Sequence, residues 1–326
     1  MRQIIEKHEE IWQIRTPLPF PLRWVNSYVL TEPDQRVTLI DPGLNHEEGR
    51  QHWGSVLHQL NIKWSDIGRV VLTHHHPDHY GISGYIQQQS GAEVWMSQTA
   101  HEQAQLMWSQ QETMSRDMVE MFRKQGMDDE TCSKMAAHLE SFKPLVSPAP
   151  RVIHFPSDQE FILGGESYDM IETGGHAAGH ISFYQPQRKR IFCGDHVLPR
   201  ITSNVSYLPG GDPNPLDRFL DGLKRMQQYE VEKAFPGHRD PFMNFKERTV
   251  EMLMHHEERL QAMTALLKDR PRTAFEICSS MFGTRLSVHQ LRFAMAEVIA
   301  HLIYLRDRQR IESTETQQGI VYSVIG

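Results

Sequence analysis

The segment THHHPDHYG, from Thr73 to Gly81, places four histidines and one aspartate within six positions, directly after an apolar run. His74 and His76 are two positions apart, so they would point away from each other on a helix but can converge on a loop that leaves a strand. Asp78 and His79 follow on the same turn. Neutral imidazole and carboxylate groups are the ligands that borderline divalent metal ions prefer. The segment therefore predicts two half-sites for metal ions.

Three later segments can complete these half-sites, because each follows a predicted strand. They are GGHAAGH, FCGDH and FPGH, and they contribute His176, Asp195 and His238. Loops at one end of a layered sheet can bring together residues that are distant in sequence, and glycine beside a ligand suits a tight turn. We predict a first ion held by His74, His76 and His176, a second held by Asp78, His79 and His238, and Asp195 as the bridge between them.

This ligand set predicts hydrolysis without a serine or cysteine nucleophile. A bridged pair of ions lies roughly 3.5–4 Å apart, polarises a substrate oxygen and lowers the pKa of a shared water toward 7. We expect a metal-bound hydroxide as the nucleophile, with Asp78 and Asp195 as the catalytic carboxylates. Two zinc ions are the expected cofactors, although the ligand types also admit iron or manganese. The structural alternative is a solvated loop that is rich in histidine.

The other histidines have simpler interpretations. His75 lies between two predicted ligands and is expected to point away from the site. His180 and His196 follow the later motifs closely, and we consider for each a role in orienting a ligand or a purely structural one. His255 and His256 occupy a predicted amphipathic helix and are expected at the surface.

Two groups of residues are candidates for contacts with a substrate. Arg200, Asn204 and Tyr207 follow Asp195 on a predicted loop, where they could bind a carboxylate or stabilise an oxyanion, or could simply be structural. Four methionines fall on one face of the predicted helical stretch: Met107, Met114, Met118 and Met121. Such a stripe is typical of a core face, and the alternative is a flexible lid whose methionines shape an apolar pocket.

The elements that must position the ligands alternate between strand and helix, which predicts an α/β fold with helices packed on sheets. The predicted strands are 11–14, 27–30, 37–40, 69–73, 93–96, 167–173, 181–184, 190–193 and 233–235, with helices at 47–60, from 214 and at 244–268. We predict a catalytic domain over residues 1–243, in which 97–142 form a helical insertion, and a connecting helix over 244–268.

Residues 269–326 form a separate C-terminal domain in this prediction. Helices at 273–281, 287–294 and 296–305 precede two strands, 309–313 and 320–324, around a polar turn, an order that resembles a winged helix. The segment contains seven arginines and six acidic residues, so its electrostatic attraction for nucleic acid is weak.

Composition narrows the class of protein. The 326 residues carry a formal charge of −7 and 39% hydrophobic residues, which suits a globular protein with a substantial core and does not favour a nucleic-acid partner. No apolar run is long enough to span a membrane. The opening residues, MRQIIEKHEE, lack the apolar core of a signal peptide, which favours a cytoplasmic location. Three widely spaced cysteines imply no disulfide framework.

THHHPDHYG resembles the signature loop of the metallo-β-lactamase superfamily, and the later motifs occur in that family's order. The resemblance covers roughly residues 11–240 and implies an αββα sandwich with a glyoxalase II-like dinuclear site at one edge of its two sheets. It also implies that Asp41, in LIDPG, supports the metal loop from behind. The helical tail is similar to that of the beta-lactamase-like protein 2 group.

Three functions remain open at this point. The first is a hydrolase that acts on an ester, thioester or lactone, as a hydroxyacylglutathione hydrolase does, with a small-molecule acyl compound as partner. The second is a metal-dependent ribonuclease or phosphodiesterase that holds nucleic acid with its tail, a partner that the charge does not favour. The third is a sensor whose tail binds DNA or joins two chains as a homodimer.

Overall fold

The computed structural model describes residues 5–108, 113–157, 160–317 and 319–325. Within these ranges, seven strands form the first sheet, and their order in the sheet is their order in the chain. They are β1 (Ile5–His8), β2 (Ile11–Pro17), β3 (Trp24–Thr31), β4 (Val37–Ile40), β5 (Ile67–Val71), β6 (Glu93–Met96) and β7 (Val152–His154). Strands β1 to β4 pair antiparallel, whereas β4 to β7 pair parallel.

The second sheet has the strand order β12-β11-β10-β9-β8. Its strands are β8 (Glu160–Leu163), β9 (Glu166–Glu172), β10 (Ile181–Gln185), β11 (Arg190–Gly194) and β12 (Lys233–Pro236). Strands β10 and β11 are buried along their whole length, as expected for strands that are covered on both faces. The sequence pattern did not predict β1, β7 or β8, which are short strands at or near sheet edges.

Helices pack against the two sheets and make up much of the C-terminal segment. They are α1 (Glu47–Gln59), α2 (Pro77–Tyr80), α3 (Ser83–Ser90), α4 (Gln98–Trp108), α5 (Met114–Lys124), α6 (Asp129–Glu140), α7 (Pro215–Met226), α8 (Phe245–Leu267), α9 (Ala274–Phe282) and α10 (Val288–Asp307). In the ranges described, no helix is both long enough and apolar enough to cross a membrane.

Three apolar layers hold this arrangement together. Aromatic side chains of both sheets meet between them: Tyr28, Phe161, Tyr168, Phe183, Phe192 and Phe235. Trp53 of α1 and Ile86 of α3 pack on the outer face of the first sheet, and Phe219 of α7 packs on the outer face of the second. Full burial of each such side chain contributes about 1.5–3 kcal/mol to folding. The result is the αββα sandwich that the resemblance implied.

The helical stretch after β6 is divided into α4, α5 and α6, and residues 109–112 of that stretch lie outside the described residues. Met107 belongs to α4 and the other three methionines to α5, so the four do not share one helix face as the sequence pattern suggested. Met107, Met114 and Met118 are buried, and Met121 packs against the same apolar cluster. Their position supports a core role.

The C-terminal segment consists of α8, β13 (Arg272–Thr273), α9, α10, β14 (Ile311–Thr316) and β15 (Gly319–Val324), with the sheet order β13-β15-β14. The prediction of separate helices at 287–294 and 296–305 was wrong, because α10 runs unbroken through both. Ser287 caps it by accepting a hydrogen bond from the backbone N–H of Gln290 (3.2 Å). No glycine or proline interrupts the residues that follow, so nothing ends the helix at 295.

Candidate metal centre

The direction of the strands explains why the predicted ligands meet. In the second sheet, β9 and β11 both pair antiparallel with β10, and β12 pairs parallel with β11, so β9, β11 and β12 end at the same edge. His176, Asp195 and His238 follow these ends. The loop after β5 is tied to this edge by a hydrogen bond from the backbone N–H of Ile181 to the carbonyl of Thr73 (2.9 Å).

The two predicted half-sites are present as compact groups. One ligand atom from each of His74, His76 and His176 lies within 4.8 Å of the other two, and the same holds for Asp78, His79 and His238. The described residues include two further groups of this size: Asp41 with His74 and His79, and His256 with Glu297 and His301.

Asp195 lies between the two groups. Its Oδ2 atom is 3.8 Å from Nε2 of His176, 3.5 Å from Nε2 of His79 and 3.3 Å from Nε2 of His238. One carboxylate oxygen therefore faces one histidine of the first group and two of the second. This is the position that a bridging ligand requires.

Backbone carbonyls fix which nitrogen of two histidines faces the site. Nδ1 of His176 lies 2.7 Å from the carbonyl oxygen of Asn204, and Nδ1 of His238 lies 3.1 Å from that of Trp24. A carbonyl oxygen only accepts, so each Nδ1 carries a proton and each Nε2 is the nitrogen that faces the site.

Asp41 fixes His79 and the start of the metal loop. It accepts hydrogen bonds from the backbone N–H of Thr73 (2.8 Å), from the Thr73 hydroxyl (2.6 Å) and from Nδ1 of His79 (2.9 Å). Because the Thr73 hydroxyl gives its only proton to Asp41, it must accept from Nδ1 of His74, which lies 2.9 Å away. Nε2 of His74 and Nε2 of His79 therefore face the site. Asp41 thus supports the metal loop from behind, as the resemblance implied.

Unpaired buried atoms show that these residues suit metal ions. Nε2 of His74, His79 and His176 and Oδ1 of Asp195 are buried and have no hydrogen-bond partner among the described residues. Buried polar atoms are almost always satisfied. Four such atoms that belong to one ligand set, each an imidazole nitrogen or a carboxylate oxygen, fit the donor preferences of a borderline divalent ion.

The pKa shifts of the predicted ligands also favour a metal site. Burial, together with neighbouring imidazoles, lowers the pKa of His74 and of His76 well below the ordinary value, so both rings are neutral donors. Burial also opposes protonation of His238, but Asp195 and Asp78 outweigh it and raise the pKa of His238 to about 10. The first group is therefore neutral, whereas Asp195 and Asp78 hold a proton on His238 in the second, which shows that their negative charge favours a cation there.

Substituting Asp41 with asparagine is expected to weaken metal binding by about tenfold to a hundredfold, because an amide cannot accept all three hydrogen bonds of the carboxylate. The measurement is metal affinity by competition with a chelator. Asp34→Asn is the matched control, since Asp34 is exposed and bonds only to Arg36 in the described structure. An unchanged affinity in Asp41→Asn would contradict the role of this network.

The remaining histidines near the motifs lie outside the two ligand groups. His75 is buried and is in neither ligand group. His180 donates from Nδ1 toward the Thr173 hydroxyl (2.7 Å), and its Nε2 accepts the backbone N–H of Asp195 (3.2 Å), so it positions the residue that is predicted to bridge. His196 is buried against Phe219, with ring centroids 4.8 Å apart.

The expectation that His256 lies at the surface was wrong. Its side chain is fully buried, and its Nδ1 is 3.0 Å from Nε2 of His301 on α10. His255 is partly buried. Helical periodicity in α8 indicated a polar face at this position, but α10 covers that face, so a histidine pair forms where the two helices cross.

Of the three loop residues proposed for substrate contact, only Asn204 borders the site. A cavity of about 420 Å³ opens beside the predicted ligands and is lined by Asn204 but, among the described residues, not by Arg200 or Tyr207. Arg200 is exposed, and the backbone N–H of Tyr207 bonds to Ala296 of α10 (3.1 Å).

The C-terminal segment forms a large part of the cavity wall, which the sequence did not predict. Leu286, Arg292 and Phe293 come from this segment, whereas Phe142 is the only residue of the described part of the helical insertion that lines the cavity. Glu297 of α10 also accepts a hydrogen bond from the side chain of Asn204 (2.9 Å), whose carbonyl binds His176. The signals in the sequence were two charged residues, Arg292 and Glu297, within an apolar helical run.

Comparison with known families agrees with this geometry. The family model described as the metallo-beta-lactamase superfamily matches residues 22–238. The chain belongs to this superfamily. A second model, described as the metallo-beta-lactamase-like C-terminal domain, matches residues 260–323. The family prediction from THHHPDHYG is confirmed.

Two relatives align with most of the length of this chain. A probable metallo-hydrolase, YqjP of Bacillus subtilis, is 27% identical over 94% of this chain and 95% of its own. A beta-lactamase-like protein 2 homolog of Caenorhabditis elegans is 21% identical over 82% of this chain and 74% of its own. The chain is thus a metallo-hydrolase of the superfamily, whose members generally bind metal ions.

Solved structures show the same fold. The metallo-beta-lactamase family protein TTHA1429 of Thermus thermophilus is 29% identical and superposes with a TM-score of 0.86 over 98% of this chain and 99% of its own. A beta-lactamase domain protein of Burkholderia ambifaria is 26% identical, also with a TM-score of 0.86, over 98% of this chain and 94% of its own.

Proposed function

We propose that this metallo-hydrolase uses two metal ions to cleave an ester, thioester or lactone. The observation that carries the proposal is the cavity beside the ligand groups. Its walls are mainly apolar, with side chains such as Phe20, Leu22, Leu198, Ile201, Phe282 and Leu286, while His76, Asp78, Asp195 and His238 border it at the metal centre. An apolar cavity that meets a few convergent polar groups suits the acyl part of a small molecule.

The two ligand groups support a dinuclear site. In this proposal His74, His76 and His176 hold one ion, Asp78, His79 and His238 hold the other, and Asp195 touches both. Nitrogen and oxygen ligands favour zinc, and iron and manganese are the alternatives. When bound, such a pair supplies a Lewis acid for the scissile carbonyl and lowers the pKa of an attacking water.

The chain's own residues supply position, charge and exclusion of water. Asp78 and Asp195 border the cavity, and the Asp78 side chain is more exposed than that of Asp195, at 19% against 9%. Burial raises the pKa of Asp78, but His79 and His238 outweigh this and lower it, so Asp78 is ionised and can accept a proton at Oδ2, the atom that faces His238. The apolar walls limit water at the reacting bond.

A nuclease is the second candidate, and the C-terminal topology is the observation that favours it. Helix, short strand, two helices and a hairpin, with the sheet order β13-β15-β14, resemble a winged helix. Charge opposes it, because three arginines near the hairpin have acidic neighbours: Arg306 with Asp307, Arg308 with Asp217, and Arg310 with Glu257.

The test is a panel of initial rates with the metal-loaded protein on a glutathione thioester, an acyl-CoA, a homoserine lactone, a phosphodiester and single-stranded RNA. The proposal predicts turnover of a thioester or lactone and none of RNA. Cleavage of RNA alone, with RNA affinity that falls steeply as salt rises, would replace the acyl proposal by the nuclease.

A further inference from the structure

Arg292 is a buried cation in the wall of the active-site cavity. It lies on α10, its side chain lines the cavity, and the residue is only 7% exposed. Its Nη1 atom is buried and has no hydrogen-bond partner in the described part of the chain. Burial lowers the pKa of Arg292 to about 10 against the opposing effect of the Asp78 charge, so the guanidinium is still charged at neutral pH. An unpaired buried charge is costly, which suggests that a missing partner completes it.

Other buried arginines nearby have their partners within the protein. Arg259 pairs with Glu297 of the same helix as Arg292. Arg248 donates to the carbonyl oxygens of Leu198 (2.7 Å) and Ile201 (3.0 Å). Arg292 instead lies over aromatic rings, with its guanidinium carbon 4.3 Å from the ring centroid of Phe293 and 5.3 Å from that of Phe142. These rings hold the guanidinium in place and leave its N–H groups for a ligand.

The groups around Arg292 indicate a ligand with a single negative charge. Burial, with the nearby charge of Arg292 and the His138 ring, lowers the pKa of His289 to about 4, so this neighbour is neutral. Glu297 is already bound by Arg259 and Asn204. Arg292 is then the one cation that the described residues place in this wall of the cavity. One guanidinium balances a carboxylate better than a doubly charged phosphate.

We propose that Arg292 binds a carboxylate of the substrate, so that the preferred substrate is an acyl compound with a free carboxylate at the end remote from the bond that is cut. The guanidinium fork matches a carboxylate with two parallel hydrogen bonds. The metal centre receives the acyl carbonyl, and the apolar side chains of the cavity wall receive the carbon chain. The inference rests on the proposed acyl hydrolysis and specifies its substrate class.

Binding of paired probes tests the inference without any turnover. The probes are a short homologous series of dicarboxylic acid half-amides and the corresponding neutral diamides, titrated by calorimetry into the metal-loaded protein. Both members of a pair offer the same amide to the metal centre, so they differ only in the remote carboxylate. At the best chain length we expect the half-amide to bind about 10- to 100-fold more tightly, as charge-assisted hydrogen bonds provide.

Variants assign the preference to Arg292. Arg292→Gln is expected to abolish the difference between the paired probes, Arg292→Lys to retain part of it, and Arg285→Gln, at an exposed neighbouring position, to leave it as in the wild type. Equal binding of both probes by the wild type at every chain length, or a difference that survives in Arg292→Gln, would overturn the inference. Tighter binding of a phosphonate than of the carboxylate of the same length would overturn the choice of anion.

A kinetic comparison separates this inference from the proposed function. Wild type would be given thioesters of a monocarboxylic acid and of the dicarboxylic acid of the same length, and the inference predicts a lower KM for the second. If both thioesters are cleaved equally well, acyl hydrolysis stands and the role of Arg292 fails. If neither is cleaved while the paired probes still differ in binding, the anion subsite stands and acyl hydrolysis fails.

Discussion

Asp195→Ala is expected to reduce hydrolysis of the preferred substrate by about 10³-fold. A pair of metal ions supplies several kcal/mol of transition-state stabilisation, and each 1.4 kcal/mol that is lost lowers the rate by a factor of ten. The carboxylate approaches histidines of both ligand groups, at 3.8 Å from His176 and 3.3 Å from His238. In the proposed dinuclear site, the two ions would lose their common ligand without this carboxylate. The measurement is kcat/KM together with metal content.

Asp221→Asn is the control for that variant. Asp221 is exposed on α7 and forms a surface ion pair with Lys224 (3.2 Å), a kind of pair that contributes little to stability. The Asp221→Asn variant is expected to retain the wild-type rate and metal content. A loss of only two- or threefold in Asp195→Ala, with metal content unchanged, would contradict the assignment of Asp195 as the bridge.

Gly237→Ala is expected to reduce activity by at least about 10²-fold in a protein that still folds. A methyl group at this position would lie 2.1 Å from Oδ1 of Asp195 and 2.7 Å from Cε1 of His79, closer than real contacts of this kind. The Asp195 carboxylate must therefore move, and small displacements of reacting groups are costly for catalysis. The measurement is kcat/KM with the unfolding midpoint as a check on the fold.

Gly174→Ala is the matched control, because the same methyl group at Gly174 would meet no atom within 4 Å. Gly174 lies two positions before His176, so it is also close in sequence to a predicted ligand, as Gly237 is. We expect it to leave activity and metal affinity near wild type. Equal activity losses in the two glycine variants would show that backbone stiffening, rather than contact with Asp195, causes the effect.

The sequence predicted which residues would meet, because the candidate ligands follow recognisable strands. Each of His176, Asp195 and His238 follows a strand that could be recognised from its apolar run, and strands β9, β11 and β12 run in the same direction. Parallel strands end at one edge, so placing the residues at strand ends was enough to place them together. The metal roles themselves stay predictions.

The cavity wall could not be predicted, because it depends on how distant elements pack. Periodicity shows which face of a helix is buried but not what covers it, so the charged residues within α10 did not indicate which part of the chain Arg292 and Phe293 would meet. His256 was misplaced for the same reason, since its partner His301 lies 45 positions further along the chain. The methionines of α5 carried a stronger pattern, but they pack in the core.

Titration of metal-free protein with zinc is the most direct test of whether the protein is a dinuclear hydrolase. Thioester or lactone hydrolysis and bound metal are followed together. We expect the rate to reach its plateau at about two ions per chain, as a bridged pair requires. We also expect that Asp195→Ala does not reach this plateau. A full rate at one ion per chain, or a rate independent of added metal, would contradict a dinuclear hydrolase.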